Sequence, residues 1–235
     1  MGRVARTIPA DRFPHLIDAA VTIFVARGYR QTQMADVAEA LGLGKGTLYG
    51  YVASKEALFD AAIRYADRHQ ELPGVALLPL KTPPAGSTVS YVRGRLMVEA
   101  SELLLVKVVA QGKVIRGSEK ELSAIISDLY QRMAHNRKAL KLIDRCAPEY
   151  PELAQVWFGE GRWAQHQLLV ELIKRRMDKG HFRKVSQPEI VARTILESVA
   201  FWAMHRHFDP SPQTVSDADA EAALVDLVTH GLLQG

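Results

Sequence analysis

The chain has 235 residues, 48% hydrophobic and 24% charged, enough to bury one substantial core with a smaller satellite domain. Its 30 Lys and Arg against 26 Asp and Glu leave a formal charge of +4, which permits a polyanionic partner without demanding one. A single cysteine, Cys146, excludes an internal disulfide framework and suits a reducing cytosol, and Glu99, Glu102 and Lys107 interrupt the most apolar stretch before it reaches the length of a membrane span.

The first residues, MGRVARTIPADR, have no apolar signal core, so a soluble cytoplasmic protein is expected; Arg3, Arg6 and Arg12 make them a basic N-terminal arm. Phe13, Leu16, Ile17, Ala20, Val21 and Phe24 line one face of a first helix that stops at Gly28, a residue tolerant of positive φ. Met34, Val37, Ala38 and Leu41 give a short second helix, N-capped by Thr32 and closed by Gly42. A third runs from about Lys45 to Val52, and Ser54 caps a fourth with Leu58, Ala62, Ile63 and Ala66 on its apolar face.

From Leu72 to Ser87 the prolines 73, 79, 83 and 84 with Gly86 break any continuous helix. Longer helices are predicted near 88–110, 119–147, 152–179, 188–208 and 217–233, and no alternating strand appears. The expected fold is all-α, with a domain at 1–68, a Pro-rich linker at 69–87 and a helical domain at 88–235.

Ala38 followed by Gly42 provides the small contact residue and the positive-φ turn that two steeply crossing helices need, a helix-turn-helix arrangement. The next helix opens Gly44-Lys45-Gly46-Thr47-Leu48-Tyr49. Its polar and small residues cluster at the end where such helices meet DNA bases. With Leu48 and Val52 inward, Lys45, Thr47, Tyr49 and Tyr51 are expected to point outward, able to hydrogen-bond DNA and pack on thymine methyls. The same pattern suits an ordinary αα-hairpin, against which two outward tyrosines argue. A phosphate-cradling loop is excluded by the order of glycines and lysine and by the preceding helix.

The run GYRQTQMADVAEALGLGKGTLYGYVASKEALF, Gly28 to Phe59, resembles the N-terminal signature of the TetR family of transcriptional regulators, the likeness extending over about residues 13–67. It is carried by Tyr29, Thr32, Val37-Ala38, Gly42, Lys45 to Tyr49 and Ser54 to Leu58. The resemblance implies base and backbone contacts at Lys45, Thr47 and Tyr49 and a phosphate contact at Lys55, with Thr32, Gln33, Gly46 and Tyr51 completing the DNA surface. Gly44, Gln33, Gly50 and Ala35 depart from residue types common in the family, which bears on operator sequence and affinity.

In the C-terminal half, PELAQVWFGEG and the two long helices after it resemble the dimerisation end of many members. Both helices are apolar on more than one face, and Gly161, Ala164, Ser198, Ala200 and Ala203 allow close approach, as a symmetric four-helix interface needs. Two stripe positions are polar: Asn136 among Leu122, Ile126, Leu129, Met133, Leu140 and Ile143, and Glu99 between Leu96 and Leu103. Each either orients a ligand in an apolar cavity or turns to solvent. Glu99, Leu103, Tyr130, Met133, Asn136 and Trp163 are the expected ligand contacts. His205 and His207, two apart, suit a helix C-terminus better than a metal.

No nucleophile elbow, HExxH pair or EF-hand loop occurs, and neither enzymatic activity, a cofactor nor a metal is expected. The expectation is a homodimeric repressor that binds a palindromic double-stranded operator and is released by a small-molecule effector, without membrane association.

Overall fold

The computed structural model describes residues 12–112, 117–211 and 214–233, so Arg3 and Arg6 of the basic arm lie outside the described residues. In chain order the helices are α1 (Arg12–Gln31), α2 (Met34–Ala40), α3 (Lys45–Leu48), α4 (Lys55–Tyr65), α5 (Ser87–Glu102), α6 (Leu104–Gln111), α7 (Ser118–His135), α8 (Arg137–Cys146), α9 (Pro151–Ala154), α10 (Trp163–Asp178), α11 (Pro188–Ala203) and α12 (Asp217–Leu232). A π-helical stretch, Gln155–Arg162, separates α9 from α10. The fold is all-α: among the described residues the β structure consists of two isolated bridges. No described helix is long and apolar enough to cross a membrane.

Several expected long helices are interrupted, two of them where a side chain satisfies the freed backbone group. The 88–110 helix breaks at Leu103, whose backbone is extended (ψ 130), and the Asp128 carboxylate accepts the freed Leu104 N–H at 2.8 Å. The 119–147 helix breaks at Asn136, whose amide donates to the Arg132 carbonyl at 3.0 Å. The 188–208 helix ends at Ala203 and tightens into a 3₁₀ turn.

The chain forms two compact units, residues 1–90 with 138–154, and 91–137 with 155–235. In the first, the apolar face of α1 packs on α4, with Phe24 against Phe59 at 5.2 Å and Phe13 against Tyr65 at 6.1 Å between ring centroids. Asp67 accepts the N–H groups of Lys138 and Ala139, both at 2.9 Å, and so satisfies the start of α8. Cys146 is buried here and its thiol is pushed up to about 12, chiefly by burial, which keeps it protonated and inert.

The core of the second unit is built from α6, α7, α10, α11 and α12, with Leu105, Ile125, Ile126, Leu169, Ile173, Val199 and Leu224 among its buried members. One ion pair lies inside it: Arg176 Nη2 reaches Glu121 Oε1 at 2.6 Å, with the two side chains 1% and 4% exposed.

Candidate nucleic-acid interface

The first unit builds an exposed short helix from turn chemistry. Gln33, extended at φ −114, starts α2, and its N–H donates to Asp36 Oδ2 at 2.8 Å. That N–H, ahead of the Arg27 ion pair at 2.6 Å, holds the Asp36 carboxyl below its usual range. Thr32, expected to cap α2, is buried instead, its hydroxyl donating to the Gly28 carbonyl at 2.7 Å.

Helix α2 ends with Gly42 at φ +61, where Gly42 N–H donates to Glu39 O at 2.9 Å and Leu43 N–H to Ala38 O at 2.8 Å. This paired closure is a Schellman motif, which the left-handed glycine permits. It directs the chain into α3, whose N-cap Gly44 offers no side chain.

Helix α3 covers Lys45–Leu48, against the expected Lys45–Val52. Two glycines, Gly46 and Gly50, weaken continuation, and the chain turns through Gly50 N–H to Thr47 O (3.0 Å) and Tyr51 N–H to Leu48 O (2.9 Å). Leu48 and Val52 are buried as expected. Tyr51 is fully buried as well, a correction to its expected outward face, because the turn rotates it out of helical register.

The outer surface is therefore made by Lys45, Gly46 and Tyr49, all exposed, with Thr47 half-buried beside them. A Cβ at Gly46 would meet nothing within 4 Å, so a flat ligand can approach the backbone there. Gln33 is exposed on the neighbouring helix.

Lys55 stands at the start of α4, where the resemblance implies a phosphate contact. Its Nζ donates to the carbonyls of Tyr29 at 2.9 Å and Thr32 at 3.1 Å and sits 4.6 Å from the Tyr29 ring centroid, closing the end of α1. Tyr29 stacks on Tyr150, and burial, aided by Glu56, pushes its hydroxyl up to about 12. Glu149 accepts the Arg30 N–H at 2.7 Å, which with its Arg145 pair holds the Glu149 carboxyl below its usual range. The sequence carries no signal for Glu149 or Tyr150, because they meet α1 far along the chain, Glu149 at 119 positions from Arg30.

Residues 16–62 match the family described as bacterial regulatory proteins, tetR family. Over those residues, α1 to α4, the chain resembles that family.

A 55-residue stretch of this chain is 42% identical to the HTH-type transcriptional repressor KstR2 of Rhodococcus jostii, covering 23% of this chain and 27% of that one. The HTH-type transcriptional regulator RutR of Escherichia coli is 25% identical over 211 residues, 84% of this chain and 94% of that protein. The structure of the ketosteroid transcriptional regulator KstR2 of Mycobacterium tuberculosis aligns over 99% of this chain and 100% of that one, with a TM-score of 0.57 at 17% identity, a likeness of fold. The chain spans 27% to 38% of the length of the curated KstR2 relatives it matches.

In the second unit the six expected ligand contacts divide. Arg132 joins two of them: its guanidinium pairs with Glu99 at 3.2 Å and its carbonyl accepts from Asn136. Glu99 also pairs with Arg95 at 3.0 Å, so its charge is balanced within the protein. Leu103 is buried in the core and Met133 packs against it. Tyr130 is buried, its hydroxyl 3.3 Å from both the Trp202 carbonyl and Asp217. Burial opposes ionisation of Asp217, yet Arg137 and Arg206 overcome it and bring the carboxyl down to about 2.

Trp163, 60% exposed, lies apart from these on an open groove of about 750 Å³ between α10 and α11. Ile190, Thr194, Ser198 and Trp202 line the same groove, with Arg193, Glu189 and Glu197 at its edges. Ala203, expected at a subunit interface, is fully buried in the unit's own core.

Proposed function

We propose that the protein is a sequence-specific DNA-binding repressor rather than an enzyme, acting as a homodimer on a two-fold operator and released by a small-molecule effector. The observation that carries it is the α2–turn–α3 geometry: Gly42 at φ +61 sets a short helix whose exposed face holds Lys45, Gly46 and Tyr49 around Thr47. A cation, a hydroxyl and an aromatic on a glycine-bared surface match phosphate, base edge and thymine methyl. The relatives named as transcriptional repressors support the same reading.

Thr47→Ala and Tyr49→Ala are each expected to weaken binding to the DNA upstream of the protein's own gene by about 1 to 3 kcal/mol and to alter sequence preference. Anisotropy titrations against single-base variants of that duplex measure both effects. Wild-type affinity and preference in both variants would remove α3 from the interface.

A second copy of the chain is the proposed occupant of the α10–α11 groove. Apolar Trp163 and Ile190 stand exposed at 60% and 63%, and the same patch on a two-fold copy would take both out of water. Ser198→Arg is expected to yield monomers in sedimentation by placing an unpaired charge in that interface, whereas Ala203→Arg would disrupt the monomer core. A wild-type monomer at micromolar concentration would contradict the dimer.

The effector is proposed to be apolar or amphipathic and to bind the second unit, with Glu99, Leu103, Tyr130, Met133 and Asn136 as the contacts, Trp163 belonging to the groove assigned to the second copy. A ligand that prefers a conformation with wrongly spaced recognition helices weakens DNA binding by the factor by which DNA weakens its own binding, typically about 5- to 150-fold. Thermal-shift screening followed by DNA titration with each hit tests this.

A further inference from the structure

The Pro-rich segment between α4 and α5 reads as a linker in sequence, yet its middle is fastened to the turn that leaves α3. Leu80 N–H donates to the Tyr51 carbonyl and Ala53 N–H donates to the Leu80 carbonyl, both at 2.9 Å, forming a parallel bridge between Val52 and Leu80. Two residues on, the Thr82 hydroxyl donates to Ser54 Oγ at 2.8 Å, and Ser54 is the N-cap of α4, accepting from Ala57 N–H. Residues 80–82 thus lie alongside residues 51–54, directly after the exposed Tyr49.

Lys81 stands between these anchors. Leu80 and Thr82 are committed to the turn by backbone and side chain respectively, and in an extended segment adjacent side chains point to opposite sides, which sends Lys81 away from the Thr82 contact and into solvent. It is exposed and makes no hydrogen bond or ion pair with a described residue. It is also the sole charged residue between Glu71 and Arg93.

We infer that residues Leu80 to Thr82 form an additional element of the DNA-contacting surface, with Lys81 as a phosphate contact supplied from outside the helix-turn-helix. This rests on the DNA-binding reading above. A lysine on a free linker would lose its backbone freedom on binding; the two backbone hydrogen bonds and the Thr82–Ser54 bond remove that freedom in advance. The need is local, because α3 is four residues long with glycines at 46 and 50 and its N-cap lacks a side chain. A phosphate contact carries no base information, so it strengthens binding to every sequence.

The test is equilibrium binding of the full chain to a fluorescein-labelled random-sequence DNA duplex across a salt series, comparing wild type with Lys81→Gln, Lys81→Arg and Lys45→Gln. Lys81→Gln is expected to make the dependence of log affinity on log salt shallower by about 0.9 for each phosphate it no longer neutralises. Lys81→Arg keeps the wild-type slope, and the thermal midpoint stays unchanged in both. If Lys81→Gln retains the wild-type slope, the assignment of Lys81 is overturned, and flattening by Lys45→Gln in the same series would leave the DNA-binding reading standing. Absence of wild-type binding at every salt concentration would overturn both.

Discussion

Gly28→Ala is expected to destabilise the protein by about 2 to 4 kcal/mol, measured as a lower urea midpoint with an unchanged slope. Gly28 has φ +82 and ψ 174, a backbone region that only glycine occupies without strain. An added Cβ would also meet the Glu149 carboxylate and lie 2.8 Å from Arg145 Nη1. Both groups have flexible ends, but moving them costs bonds: Glu149 accepts from Arg30 N–H at 2.7 Å and from Arg145 at 2.9 Å. Strain and broken charge-assisted bonds therefore add. The Gly28 carbonyl also accepts from Thr32, so the substitution disturbs the path into α2 and the placement of α3. A midpoint within about 0.5 kcal/mol of wild type would show that the turn relaxes freely.

Glu121→Ala is expected to cost about 3 to 5 kcal/mol, because it leaves the Arg176 guanidinium charged within the α7–α10 core. The double replacement Glu121→Leu with Arg176→Met should recover most of that loss, since two apolar side chains of similar volume remove the stranded charge. Chemical denaturation of the single and double variants tests the cycle. A double variant no more stable than Glu121→Ala would mean that Arg176 contributes chiefly through packing of its aliphatic stem.

The helix-turn-helix was legible because its signals are local. The Gly42 turn, the Ser54 cap and the inward Leu48 and Val52 each depend on residues within a few positions, and each appears in the structure. Tyr51 was misread because a helical wheel was continued through Gly50, where the chain leaves the helix. The partners of Lys55 were hidden because they are the main-chain carbonyls of Tyr29 and Thr32, which no side-chain pattern announces. Residues 138–154 join the first unit through Asp67, Arg30 and Tyr29, partners too distant in sequence for periodicity to report. The break at Leu103 falls inside an apolar run and that at Asn136 at the polar position of its stripe; neither is marked by glycine or proline, because the Asp128 carboxylate takes the freed Leu104 N–H and the Asn136 amide serves the freed Arg132 carbonyl.

The central claim, sequence-specific DNA binding through α3, is tested most directly by titrating the full chain onto a duplex carrying the region upstream of its own gene and onto a scrambled duplex of equal length and composition, at about 0.15 M salt. Specific recognition predicts at least about a thousandfold tighter binding to the upstream duplex, a preference that falls when Thr47 or Tyr49 is replaced. Equal affinity for the two duplexes, or no binding to either, would contradict it.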